Sequence, residues 1–120
     1  MRVLVVGELG MDRFVYCQVD RLAPEMPVPV LIPRRVVTNP GLAANVAANI
    51  KSLRPDWETY HVSNVSGIVK TRYVDEKSGH WICRIDENDE VYPEEVLTTA
   101  LVEEKYEISY FDAVVVSDYG

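Results

Sequence analysis

The chain has 120 residues, of which 48% are hydrophobic and 26% charged, and its formal net charge is −7. This length and composition predict one globular domain over residues 1–120. The acidic balance disfavours a nucleic-acid partner and an anionic membrane surface, since both reward a basic face. No apolar run approaches the ~18 residues of a membrane-spanning helix, and the first apolar stretch is too short for a signal peptide. We therefore expect a cytoplasmic protein.

The N-terminal part of the chain predicts a buried strand followed by exposed ones. Residues 2–6 are a continuous apolar run closed by Gly7, which is typical of a parallel strand covered on both faces. Residues 13–19 would place Phe14 and Tyr16 on one face of a strand and Val15 and Cys17 on the other, and we expect this strand to be half exposed. Closely spaced prolines between residues 24 and 29 predict an extended connector into a strand near 28–37.

The most informative segment follows the turn signal Asn39-Pro40-Gly41. Apolar residues at helical spacing predict a helix over 41–53, with Pro55 just beyond its end. The start of a helix directs N–H groups and the positive end of its dipole at one point, and Asn45 adds an amide there. This arrangement suits an oxygen-rich small ligand such as a sugar or a phosphate ester.

The second half of the chain predicts further strands and one more helix. Residues 59–63 indicate a short strand. The alternating runs 68–75 and 80–86 are separated by a Ser-Gly turn signal, which predicts a hairpin. Pro93 is well placed as the first residue of a helix, and residues 112–117 indicate a last buried strand.

Buried apolar runs and half-exposed alternating runs therefore coexist in this sequence. They predict an α/β fold in which a parallel sheet with helices carries a small antiparallel β-sheet lid. The α/β part comprises about 2–7, 41–63 and 93–120, and the lid strands lie within about 13–37 and 68–86.

No motif in the sequence predicts a metal or a nucleotide site. Cys17 and Cys83 lack metal-ligand spacing; they could pair, but we expect reduced thiols in a cytoplasmic protein. His61 and His80 also lack such spacing, and we assign them no role. The absence of GxGxxG and GxxxxGK[ST] argues against Rossmann and P-loop sites.

Several stretches, collinear along the chain, resemble the ribokinase-like (PfkB) family of carbohydrate kinases. The resemblance is closest to the N-terminal part of its heptose-7-phosphate kinase branch. In chain order the stretches are 5–13 (VVGELGMDR), 21–30 (RLAPEMPVPV), 40–47 (PGLAANVA), 68–72 (IVKTR) with 84–86 (RID), and 114–120 (VVVSDYG). The second stretch is the one particular to the heptose branch, and the third resembles the glycine-rich signature of the family.

The resemblance implies an ATP- and Mg-dependent transfer of phosphate to a sugar hydroxyl. It also implies substrate-binding roles for Asp12, Gly41, Asn45, Lys70, Arg72 and Arg84. Asp12 would accept hydrogen bonds from sugar hydroxyls, Asn45 would donate and accept them, and Gly41 would let the backbone approach the ligand. The three cations would meet a sugar phosphate, arginine in bidentate fashion.

Each of these side chains also has an interpretation that needs no ligand. Asp12 would then cap a turn, and Asn45 would form hydrogen bonds at the helix N-terminus. Lys70, Arg72 and Arg84 would be solvated charges on the lid strands.

The sequence departs from the family's pattern at three points. Leu42 stands where family members usually have a second glycine, so its side chain could crowd the ligand or tilt the helix start. The connection between residues 53 and 68 is short for the family. The Gly-Ala-Gly-Asp helix start that carries the family's catalytic base does not occur, so we predict no catalytic residue in this chain. Loss of a general base typically costs ~10²–10⁴-fold in rate.

Two functional hypotheses follow from these observations. In the first, the chain is the truncated, substrate-binding N-terminal portion of a sugar kinase. It would be inactive alone and would need a C-terminal kinase half that supplies the base and the ATP site. In the alternative, it is a non-enzymatic module that binds a sugar phosphate or forms a homodimer through its lid strands. A decayed gene copy without function is a third possibility.

Overall fold

The computed structural model describes residues 1–63, 67–90 and 107–119. In chain order its elements are β1 (Arg2–Gly7), β2 (Leu9–Gln18), β3 (Ile32–Gly41), α1 (Leu42–Leu53), β4 (Glu58–Val62), β5 (Ile68–Asp75), β6 (Trp81–Glu87), a 3-10 turn (Ile108–Tyr110) and β7 (Ala113–Ser117). The helix predicted to begin at Pro93 lies outside the described residues. Within the described ranges, no helix is both long and apolar enough to cross a membrane.

Strands β4, β1 and β7 form a parallel sheet with β1 in the centre. Residues 3–6 of β1 are all buried, as expected for a strand covered on both faces. Helix α1 packs against this sheet, and the fully buried Ala43 keeps the approach close. A Cβ added to Gly7 would stand 2.2 Å from the Ser117 carbonyl oxygen, so β1 and β7 converge where only glycine fits.

Aromatic residues pack against part of the same parallel sheet. Leu4 and Val6 form a core cluster with Phe111, and Tyr60 packs against it. The Tyr60 ring lies edge-to-face with the Phe111 ring at a centroid distance of 5.3 Å. This cluster fixes the segment that leads into β7.

The remaining strands form a second sheet in the order β3-β2-β5-β6, here called the lid sheet. The β2–β3 and β5–β6 pairs are antiparallel, whereas β2 and β5 run parallel. The predicted fold class, an α/β layer with a separate small sheet, is confirmed, but the lid sheet is mixed rather than wholly antiparallel. Because β1 and β4 are parallel and lead into β2 and β5 respectively, the two lid strands leave the first sheet in the same direction.

The segment around the predicted Asn39-Pro40-Gly41 turn is instead the end of a strand. Asn39 pairs with Asp12 and Pro40 with Met11, so β3 continues to Gly41 and passes directly into α1. Pro40 is tolerated there because β3 is an edge strand, where a missing N–H removes no essential ladder bond. Strand β2 likewise begins earlier than predicted, at Leu9.

The two cysteines have different environments. Cys17 is buried and Cys83 is exposed, and both thiols are free. Burial raises the pKa of the Cys17 thiol.

Candidate functional site

A cavity of about 450 Å³ lies where the carboxyl ends of β1 and β7, the start of α1 and one face of the lid sheet meet. Its lining residues are Glu8, Asp12, Leu42, Asn45, Lys70, Arg72, Arg84, Asp89 and Tyr119. The volume falls within the range of small-molecule sites, roughly 300–1,000 Å³. The carboxyl ends of parallel strands are also where α/β sheets generally bind ligands.

Five of the six residues with a predicted substrate role converge on this cavity. They are Asp12, Asn45, Lys70, Arg72 and Arg84. They come from β2, α1, β5 and β6, so no short sequence motif contains the whole set. Their convergence is a property of the tertiary fold.

Gly41, the sixth predicted residue, lies behind Asp12 rather than in the cavity lining. A Cβ at this buried position would stand 3.0 Å from Oδ2 of Asp12 and 3.3 Å from the backbone carbon of Gly10. The missing side chain therefore leaves room for the Asp12 carboxylate.

Strand register explains why the charged side chains share one face of the lid sheet. Asp12 on β2 is opposite Lys70 on β5, which in turn is opposite Asp86 on β6. Two residues further along β5, Arg72 is opposite Phe14 and Arg84. Residues two apart on a strand point to the same side, so these two rows present their side chains together.

The shortest polar contact in the cavity joins Arg72 to Asp12. Arg72 Nη1 donates to Asp12 Oδ1 at 2.5 Å and to the Lys70 carbonyl oxygen at 3.3 Å. The Arg72 side chain is 14% exposed and that of Asp12 is 31% exposed. A charge-assisted hydrogen bond with this little exposure is among the stronger kinds in proteins.

A second ionic group lies beside it on β5 and β6. Arg84 makes a two-point contact with Asp86, at 2.8 and 2.6 Å. Lys70 Nζ lies 3.0 Å from Asp89 Oδ1 and 3.6 Å from Asp86 Oδ2. The hydrogen bonds from Arg84 hold the pKa of Asp86 below its usual range. An anionic ligand at these cations would exchange places with a carboxylate of the protein.

Leu42 begins α1 with a backbone φ of 52°, in the left-handed region that favours glycine. This conformation costs a residue with a Cβ roughly 1–2 kcal/mol. The side chain lies over Gly10, where an added Cβ would stand 2.7 Å from Leu42 Cγ. The backbone at this position thus has the conformation expected for the glycine of the family signature, while the leucine side chain occupies part of the cavity wall.

Three polar residues of the cavity had no role in the sequence prediction. Glu8 and Tyr119 follow β1 and β7, so their position at the carboxyl ends of parallel strands was a usable signal. Asp89 follows β6 in an acid-rich stretch, and no pattern distinguishes it from its neighbours. Among the described residues, no group of three or more His, Cys, Asp or Glu side chains could hold a metal ion.

The fold and cavity together define an α/β protein with a polar cavity between a parallel sheet and the lid sheet. In sequence, part of the chain is related to bifunctional proteins HldE. It is 56% identical over 52 residues to HldE of Hyphomonas neptunium, a match that covers 43% of this chain and 11% of that protein. It is 49% identical over 51 residues to HldE of Blochmanniella pennsylvanica, covering 42% of this chain and 11% of the relative.

These matches confirm the resemblance predicted from the sequence. The aligned part spans about a tenth of the length of these curated relatives, 11% in both cases. No protein-family model matches the chain. A solved structure assigned as a ribokinase from Agrobacterium tumefaciens superposes with a TM-score of 0.43 at 16% identity, covering 96% of this chain and 44% of that one.

Proposed function

We propose that this chain forms the sugar-binding side of an ATP-dependent carbohydrate kinase whose substrate is a heptose 7-phosphate or a similar sugar phosphate. The observation that carries the proposal is the convergence of Asp12, Asn45, Lys70, Arg72 and Arg84 on one cavity. The relationship to HldE supports it. The polar donors and acceptors of the cavity match a ligand that combines hydroxyl groups with an anionic group.

Asp12 and Asn45 are proposed to bind the sugar hydroxyls. An ionised carboxylate only accepts hydrogen bonds, whereas an amide both donates and accepts, so the pair complements adjacent hydroxyls that can do both. Asp12 Oδ1 already accepts a hydrogen bond from Arg72, and a carboxylate oxygen can accept a further one from a sugar hydroxyl.

Lys70 and Arg84 are proposed to bind the phosphate. Both line the cavity. Asp89, the partner of Lys70, is about half exposed, so its contact with Lys70 is readily exchanged for a ligand oxygen. A phosphate at this position would accept hydrogen bonds from the Lys70 ammonium, which acts as a point charge, and from two N–H groups of the Arg84 guanidinium.

The described residues do not fit a second site for ATP and Mg. Two of the three acids in the cavity lining, Asp12 and Asp89, each form an ion pair with a cavity cation, and the described part of the chain has no three-ligand metal cluster. We therefore assign no phosphoryl-transfer step to these side chains. In the proposed kinase, the catalytic base and the nucleotide site belong to a C-terminal kinase half, and the residues described here are inactive without it.

Calorimetric titration with a heptose 7-phosphate tests the sugar site. We expect wild-type protein to bind it, and Asp12→Ala to weaken binding about tenfold or more, since a hydrogen bond to a charged group contributes about 1.5–3 kcal/mol. Asp20→Ala, which removes an exposed carboxylate outside the cavity, is the matched control. Equal affinities for wild type and Asp12→Ala contradict the proposed site.

The phosphate role is tested by comparing the phosphorylated sugar with the same sugar lacking phosphate. Lys70→Met should weaken binding of the phosphorylated sugar only, because the Lys70 ammonium is assigned to the phosphate and not to a sugar hydroxyl. Lys77→Met, in the turn between β5 and β6, is the control. An equal loss for both ligands would place Lys70 outside the phosphate site.

Association through the lid sheet is a second candidate function, favoured by the exposure of β3. This edge strand leaves Ile32, Val36 and Val37 between 37% and 55% exposed. Exposed apolar edge strands favour pairing with another chain. Sedimentation should then show a dimer that Val36→Lys dissociates, whereas a monomer at high protein concentration excludes this function.

A further inference from the structure

We propose that Phe14 and Trp81 form an aromatic corner that holds Arg72 against Asp12. In this arrangement Arg72 is a positioning residue for the Asp12 carboxylate and does not bind the ligand phosphate itself. The inference rests on the proposed function for the identity of the ligand, and it differs from the direct phosphate role that the sequence resemblance implied for Arg72.

The corner is built from three neighbouring lid strands. The Arg72 Cζ atom lies 5.2 Å from the ring centroids of both Phe14 and Trp81. The two rings meet edge-to-face, with centroids 6.4 Å apart and planes at 68°. Phe14 is on β2, Arg72 on β5 and Trp81 on β6, so the contact joins the three strands across the face that borders the cavity.

Aromatic contact replaces part of the hydrogen bonding that a guanidinium normally has. Arg72 Nε is buried and has no hydrogen-bond partner among the described residues, while Nη1 donates to Asp12 and to the Lys70 carbonyl oxygen. A charged group with little exposure needs compensation, and two ring faces supply it through cation–π attraction. The planar guanidinium is thereby held in one orientation.

The orientation of Arg72 determines that of the ligand-binding carboxylate. Asp12 Oδ1 accepts from Arg72 Nη1, and Oδ2 lies on the side of Gly41, where a Cβ would stand 3.0 Å from it. The carboxylate is thus fixed from two sides. Trp81 is 60% exposed and does not line the cavity, yet it determines the geometry of the site through Arg72.

Binding by Trp81 variants tests this positioning role. Trp81→Leu should weaken a heptose 7-phosphate and the unphosphorylated heptose by the same factor, about twofold to fivefold, because the loss acts through the hydroxyl-binding Asp12. Trp81→Phe should retain most of the affinity. Trp57→Leu is the matched control, since Trp57 also contacts an arginine, with Arg54 Cζ 4.4 Å from its ring centroid, but lies outside the cavity lining.

A measurement without ligand separates the corner from the proposed function. In the ¹⁵N-¹H spectrum, the Arg72 Nε–H signal, identified by its loss in Arg72→Lys, should be shifted by the ring currents and protected from exchange. Trp81→Leu should remove both features and Trp57→Leu neither. If the wild type binds no sugar, the proposed function is wrong, but this signal still shows whether the aromatic corner holds Arg72. An unchanged signal in Trp81→Leu, or a loss of affinity confined to the phosphorylated ligand, overturns the positioning role.

Discussion

Arg72 and Asp12 are 60 positions apart in sequence, yet their side chains meet at 2.5 Å and join β2 to β5 at the edge of the cavity. Removing either partner leaves the other with little exposure and no opposite charge in this contact. We expect Asp12→Ala and Arg72→Met each to lower the free energy of unfolding by about 1–3 kcal/mol. The double variant should lose less than the sum of the two, as measured by urea denaturation.

The ion pair Arg54–Asp56 is the control for this double-mutant cycle, because both side chains are more than half exposed. Exposed ion pairs contribute about 0–1 kcal/mol, so Arg54→Met should have little effect. Additive losses for Asp12→Ala and Arg72→Met would mean that the 2.5 Å contact contributes no coupling energy.

The left-handed backbone at Leu42 reverses the usual order of alanine and glycine in a helix. We expect Leu42→Gly to be more stable than Leu42→Ala by about 1 kcal/mol, since only glycine adopts a φ of 52° without steric cost. Thermal unfolding of the two variants measures the difference. At Ala44, inside α1, the ordinary order should hold, with the glycine variant less stable by about 0.5–1 kcal/mol. If the glycine variant is the less stable one at both positions, the backbone at Leu42 is not strained.

We expect Asp89 to compete with an anionic ligand for Lys70. Because Asp89 Oδ1 lies 3.0 Å from Lys70 Nζ, Asp89→Asn should strengthen binding of a phosphorylated sugar about twofold to fivefold at low salt. The gain should shrink as ionic strength rises, since salt screens exposed charges. Glu76→Gln, which removes the partner of Arg35 away from the cavity, is the control for calorimetry. Weaker binding by Asp89→Asn would mean that Asp89 contacts the ligand directly.

We expect His61 to make stability depend on pH below the ordinary histidine pKa of ~6.5. Burial lowers the pKa of this imidazole, and its hydrogen bond with the Gly7 backbone offsets only part of that effect. The unfolded chain, with an ordinary histidine pKa of ~6.5, therefore binds a proton at a higher pH than the folded chain. Stability is thus fully present above pH ~6.5 and falls as the pH is lowered towards the folded-state pKa.

Denaturant unfolding from pH 7 to 5 measures this effect. His61→Gln should flatten the pH dependence, whereas His80→Gln, at an exposed position, should leave it unchanged. Asp56, Asp75 and Asp86 have pKa values below the ordinary carboxyl range, so they titrate below this window. A slope that survives in His61→Gln would assign the dependence to another group.

Much of the lid sheet was predictable because side-chain alternation is a local property. Residues 68–75 form β5 as predicted, and the predicted strand 80–86 is β6 to within one residue at each end. The parallel β2–β5 pairing was not predictable in this way, since alternation of side chains is the same in either strand direction. Direction depended on β1 and β4, which lie in the other sheet.

The candidate site, too, was predictable in its residue types but not in its side-chain contacts. The residue types of Asp12, Asn45 and the lid cations led to the prediction of an oxygen-rich, anionic ligand, and the order of the motifs determined the resemblance to carbohydrate kinases. Only the tertiary structure decided that these cations are paired with Asp12, Asp86 and Asp89, and that Gly41 makes room for a carboxylate. Charge and secondary-structure propensity are properties of each residue. Ion pairs across strands depend instead on strand register, which is fixed when the two sheets assemble.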